Sequence, residues 1–289
     1  MSNKFVHLNI HSEYSVVDGI VRLKALFERA NEFGYKALAL TDKNNVYAQV
    51  KFYKLALKYD IKPIFGADVT IRSPFNNKIS SDMTLLCMNE QGRLNLLKLI
   101  SLGHQFRGNA GPVVIKPEWL TTTSTTGLLA LSGGIFSELG QYLINKKNAE
   151  AEKFSDWAKS VFSGYFYISI ARLGHLNEDT YIQAAYDFSQ KYKIPLVAVN
   201  DVQFLGKADI SAHKARVCIE RSLQLESIKD GYKYTSEQYF KEQSSMEDIF
   251  SDIPEAVANS AAIAKMCNCL LYTSPSPRDM RRSRMPSSA

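Results

Sequence analysis

An α/β fold on parallel strands, either an open doubly wound sheet or a barrel, is what this sequence predicts. Two observations carry that reading. Short β-branched or apolar runs alternate with amphipathic stretches of helical spacing over nearly the whole chain. Repeated β-then-α units imply parallel strands joined by right-handed crossovers. Seven strands can be counted, which suits a TIM-like barrel with one unit missing or distorted. A chain of 289 residues has room for one large α/β domain or two small ones.

The elements follow in order. Phe5–Ile10 alternates and reads as a strand. Arg22–Phe33 sets Leu23, Leu26, Phe27, Ala30 and Phe33 at helical spacing, and Gly34 is its stop. Ala37–Thr41 is a buried strand, Val46–Tyr59 a helix and Pro63–Ile71 a strand. Thr84–Met88 is a strand and Gln91–Leu102 a helix. Leu128–Ser132, Tyr165–Ile170 and Leu196–Val199 are further strands, with helices at Glu138–Ile144, Ala149–Val161 and Asp179–Tyr192 between them. A last helix covers Pro254–Met266. Phe106–Thr126, rich in Gly, Pro and Thr, reads as a long surface excursion. Beyond Leu271 the composition collapses to Ser, Pro, Arg and Met without periodicity. The expectation is one domain over 1–270 and a disordered tail over 271–289. That tail resembles translated adaptor sequence and reads as extraneous.

Composition excludes several classes. A 45% hydrophobic and 22% charged chain is not disordered throughout. No stretch approaches the roughly 18 apolar residues of a membrane span, and the start has no apolar signal core. Four cysteines without a CxxC pair argue against a disulfide framework or a zinc knuckle. A soluble, cytoplasmic protein is expected. The net charge is +6, but four arginines and one aspartate lie in 273–289, leaving 31 basic against 28 acidic side chains before them. That mild balance is weak support for phosphate binding. Neither a Walker A run nor GxGxxG follows any strand, so no nucleotide-binding loop is expected.

Candidate chemistry sits at strand ends. His7, Asn9 and His11 lie two apart, so in a strand all three leave on one face, and two imidazoles there would make a metal pair. Asp42, Asp68 and Asp201 each follow a buried run, and His213 lies a little beyond the last. A barrel places functional carboxylates there. Taken singly, such an aspartate is more often a helix N-cap, and a lone histidine more often a hydrogen-bonded structural residue. Recurrence at one structural location raises the joint case. The aromatic residues Phe52, Tyr53, Phe154, Trp157, Tyr165, Phe166 and Tyr167 read as core and interface area.

The run from Phe5 through Gly19, with His7, Asn9, His11 and Asp18, resembles the opening of the bacterial replicative DNA polymerase III alpha subunit, its PHP (polymerase and histidinol phosphatase) domain. Leu40-Thr41-Asp42, Lys51-Phe52-Tyr53, Ile61 through Asp68, Leu131-Ser132-Gly133-Gly134, Asn200-Asp201-Val202 and Asp252 through Ala256 continue the likeness over roughly residues 4–269. It implies a PHP-type distorted (β/α)7 TIM-like barrel with a trinuclear metal site. On that resemblance His11, Asp42, Asp68, Asp201 and His213 keep ligand-type residues, while Asn9, Lys43, Asp82 and Gln203 stand where the pattern has other ligands. Asn and Gln are weak ligands for zinc or manganese, and Lys43 puts an ammonium where a cation would bind, close to Asp42 and Asp201. The implied cluster is a relict, binding no cofactor. Magnesium would serve a polymerase palm that lies beyond this sequence. The domain's expected work is then scaffolding. Its implied partners are the remainder of the alpha subunit, the proofreading exonuclease and, through the whole assembly, DNA. A metal-dependent PHP phosphoesterase is the alternative, weighed against by the four substitutions.

Overall fold

The computed structural model describes residues 4–16, 18–108, 111–224, 234–269 and 271. The expected tail beyond 271 lies outside these described residues. Six strands are hydrogen-bonded in chain order: β1 (Ala37–Leu40), β2 (Lys62–Arg72), β3 (Ser80–Cys87), β4 (Leu128–Leu131), β5 (Phe166–Ile170) and β6 (Leu196–Ala198). Pairing is parallel at β1/β2, β4/β5 and β5/β6 but antiparallel at β2/β3 and β3/β4. The all-parallel expectation is therefore corrected. Residues 73–79 are too few for a helical crossover, so β3 must turn back along β2.

Segment 5–11 joins the two edges of the sheet. Ala39 N–H donates to His7 O and Thr41 N–H to Ile10 O, both at 3.0 Å. On the other side His11 N–H donates to Val202 O at 2.8 Å and Val202 N–H to Asn9 O at 3.1 Å. The result is a distorted barrel in which the first stave is not a regular strand. Hydroxyls take some of its backbone donors: Val6 N–H donates to Ser260 Oγ and Ile10 N–H to Thr41 Oγ1, each at 3.0 Å.

Nine α-helices lie among the described residues: α1 (Leu23–Glu32), α2 (Gln49–Tyr59), α3 (Glu90–Gln105), α4 (Glu138–Ile144), α5 (Asn148–Val161), α6 (Glu178–Tyr192), α7 (Ile210–Arg221), α8 (Gln243–Ile249) and α9 (Pro254–Met266). The sequence reading missed α7 and α8. Strand alternation sorts the core into two layers. Ala37, Ala39, Ile64, Leu86, Leu129, Leu131, Val197 and Val199 point inward, where Ile263, Ala264 and Cys267 of α9 and the residue following it join them. Leu38, Leu40, Phe65, Leu85, Ala130, Ile168 and Ala198 point outward, under the helices. The 106–126 excursion is not wholly on the surface. Ile115 is buried and pairs with β2 through Ile115 N–H to Thr70 O (2.8 Å) and Arg72 N–H to Ile115 O (3.0 Å).

Candidate functional site

The inward positions change character toward the other end of the barrel. Two residues beyond Ala39 and Thr41 comes Lys43, Asp68 continues from Ile64, Thr84 and Asp82 precede Leu86, and Asp201 follows Val199. Period-two alternation thus delivers one polar side chain after another to a shared space. That space is a pocket of about 100 Å³ whose walls include Asn9, His11, Asp18, Lys43, Asp68 and Asp201.

His11 sits at its centre, clamped between two carboxylates. Nε2 lies 2.9 Å from Asp68 Oδ2 and Nδ1 3.1 Å from Asp18 Oδ1. Burial alone would lower its pKa, but the charges and hydrogen bonds of Asp18 and Asp68 outweigh it and hold the imidazole well above the ordinary histidine range. Burial pushes Asp68 up, but it is held below the usual carboxylate range by His11 and by the charge of Lys43. Asn9 Nδ2 donates to Asp68 at 3.4 Å and to Thr84 Oγ1 at 3.1 Å, and Thr84 Oγ1 donates to Asp68 Oδ1. Asp201, whose φ of 45° is left-handed, accepts from Gln203 Nε2 at 2.8 Å and Gln238 Nε2 at 2.7 Å.

Lys43 forms its ion pair with Asp82, not with Asp42, Asp68 or Asp201, the partners the sequence suggested. Its side chain is 14% exposed. Burial lowers the pKa of Lys43, but Asp82, Asp68 and Asp18 together hold it above the ordinary lysine value. Two residues standing in place of ligands, Lys43 and Asp82, therefore satisfy each other. Thr70 Oγ1 also donates to Asp82 at 2.8 Å.

Three further expectations are corrected. Asp42 has the outward parity of Leu38 and Leu40, and its carboxylate accepts from Ser12 N–H (2.7 Å), Ser12 Oγ (2.9 Å) and Ser15 Oγ (3.1 Å). It anchors the loop after the first stave, and burial holds its pKa up despite those bonds. His213 Nε2 instead lies 2.6 Å from the backbone oxygen of Asp18, and burial keeps its pKa low. His7 does not share a face with Asn9 and His11. It packs among Phe5, Tyr35 and Phe240 with Nε2 3.0 Å from Lys241 O, because alternation breaks along the irregular stave. Sequence reasoning missed Asp18, Thr84, Tyr234 and Gln238 as members of the network. Tyr234 OH donates to Asp18 Oδ2 at 3.0 Å. Only the Asp-Gly at 18–19 offered a local signal, and it reads as a turn.

His11, Asp68 and Asp201 can each offer an atom such that all three lie within 4.8 Å of one another. The donor set does not fit a trinuclear centre, however. Both imidazole nitrogens of His11 are engaged by carboxylates, Asn9 directs an amide N–H at Asp68, and the Lys43 ammonium stands beside Asp82. Asp42 and His213 are committed elsewhere. What the arrangement does is neutralise several buried carboxylates with an imidazolium, an ammonium and amide donors.

The sequence is similar to those of known polymerase subunits. The chain is 38% identical to the DNA polymerase III subunit alpha of Pseudomonas aeruginosa over 268 residues, 93% of this chain and 23% of that protein. It is 35% identical to the DNA polymerase III subunit alpha of Escherichia coli over 266 residues, again 23% of its length. The chain thus spans about a quarter of the relatives it matches, in their N-terminal region. Among solved structures it is similar to an amidohydrolase from Chromobacterium violaceum, with 13% identity and a TM-score of 0.45 over 73% of this chain and 96% of that one. The PHP domain matches residues 7–172, more than half of the sequence, and the chain belongs to the PHP domain family.

Proposed function

We propose that this PHP domain is a metal-free scaffold at the N-terminal region of a replicative DNA polymerase alpha subunit. In that setting it would stiffen the polymerase and dock the proofreading exonuclease, in the cytoplasm. No helix among the described residues is long and apolar enough to cross a membrane. The whole relatives' template-directed synthesis would belong to domains beyond this one, and the fragment alone would be inactive. The observation that carries the reading is the Lys43–Asp82 ion pair, standing where the family pattern has ligands. A cation entering the site would meet the Lys43 ammonium and a protonated His11, both repulsive. With the charges balanced from within, the polar end can cross-link the staves as an internal network whose members are hydrogen-bonded.

Elemental analysis of the purified chain after mild dialysis tests this, expected to show no stoichiometric zinc or manganese. Two or more ions per chain would overturn it. A chromogenic phosphate ester with added manganese should stay intact. Hydrolysis abolished by His11→Ala or Asp201→Ala would favour a metal-dependent phosphoesterase, the reading to which the closeness of His11, Asp68 and Asp201 lends support.

A further inference from the structure

Outside the polar pocket, α2 has a composition unlike its neighbours. Its sequence, Gln-Val-Lys-Phe-Tyr-Lys-Leu-Ala-Leu-Lys-Tyr, holds three lysines and no carboxylate. Every other α-helix among the described residues contains at least one Asp or Glu. Gln49, Phe52 and Ala56 face the barrel. On the opposite side Val50 and Leu57, seven apart, form one row, and Lys51, Lys54 and Lys58 form the adjacent row. Val50 is 55% exposed and Leu57 63%, and Tyr47, just before the helix, is 68% exposed. Two large apolar side chains in one helical row, with Tyr47 exposed just before the helix, are more than scattered surface residues. Glu13 reaches Lys51 at 3.4 Å, an exposed pair that a better partner could displace.

We propose that this outer face of α2 is a docking surface for a partner protein that presents an acidic helix with an apolar stripe. The apolar row would be buried as a helix-on-helix seam, and the lysine row would meet carboxylates at its flank, setting orientation and register. Charge complementarity selects this occupant. A second copy of this chain would set lysine against lysine. A nucleic-acid backbone would satisfy the lysines but leave Val50, Leu57 and Tyr47 in water.

The test uses fluorescence anisotropy on the full 289-residue chain. The probe is a labelled three-heptad peptide with leucine at a and d and glutamate at e and g. Expected is saturable binding that weakens as salt is raised, with no binding of the same peptide carrying lysine at e and g. Val50→Ser with Leu57→Ser, and separately Lys51→Glu with Lys54→Glu and Lys58→Glu, should each weaken binding about tenfold or more. Circular dichroism melts should show both variants folded, since every changed side chain is exposed. The proposal fails if the acidic peptide does not saturate, if both peptides bind alike, or if the apolar pair can be removed without effect. It fails equally if sedimentation shows a dimer that the same substitutions dissolve, or if a single-stranded oligonucleotide binds through the lysines independently of Val50 and Leu57.

Discussion

Lys43 shows how one side chain changes the chemistry of a site. An ammonium buried there is favourable only because the charges of Asp82, Asp68 and Asp18 together outweigh the cost of its burial. Truncating one partner of a buried ion pair strands the other, whereas an exposed pair contributes little. Asp82 is 35% exposed at its side chain, so an intermediate loss of about 1–3 kcal/mol is expected for Lys43→Ala in urea unfolding. A change below about 0.5 kcal/mol would show that the pair contributes nothing to stability. His11 leaves a mark on pH dependence. Its folded pKa is raised above the unfolded value, so the native state binds the extra proton. The stabilisation is full below about pH 6.5 and is lost as pH rises through the folded pKa. The stability gap between the parent and His11→Gln should therefore shrink as pH rises above about 6.5. A gap that widens with pH would contradict an imidazolium at this position.

At the scale of elements, the site depends on parity and on one tight turn. Because β1, β2, β3 and the run after β6 each alternate, Lys43, Asp68, Thr84 and Asp201 converge while Asp42 turns away. The turn after β4 brings Gly133 against the start of the polar face of β3. Its φ is +84°, and a Cβ there would lie 2.0 Å from Asp82 O. Any L side chain meets both an unfavourable backbone region and a backbone oxygen that cannot step aside. Gly133→Ala should cost more than about 2 kcal/mol by thermal or urea unfolding and disturb the Lys43–Asp82 pair. Unchanged stability would mean that the turn relaxes freely. The periodic elements were legible beforehand: α4, α9 and the core-facing sides of α1 and α6 follow apolar spacing directly. The first half of β3 and its antiparallel direction were not, since Ser80–Met83 has too little apolar character to announce a strand before its pairing with β2 is known.

Taken as a whole, the domain is a barrel whose apolar interior is closed at one end by α9 and whose polar interior occupies the other. Residues 273–289 supply almost no apolar area to offset the roughly 1–2 kcal/mol per residue that ordering a backbone costs. Deleting them should leave the melting temperature within about one degree in a calorimetric scan. A fall of several degrees would mean that the tail packs on the domain.

Family membership, most of the helices and strands in their order, and the ligand-type residues at strand ends were readable from the chain alone. Hydrophobic period and residue identity are local properties that survive without coordinates. Which of those residues meet was decided only in three dimensions. Alternation carries Lys43 inward and Asp42 outward, and an irregular stave separates His7 from His11. Asp68 joins His11, and Tyr234 joins Asp18, from segments distant in sequence. Pairings of this kind depend on strand register and barrel closure, which arise from contacts between residues far apart in the chain, and no local pattern encodes them.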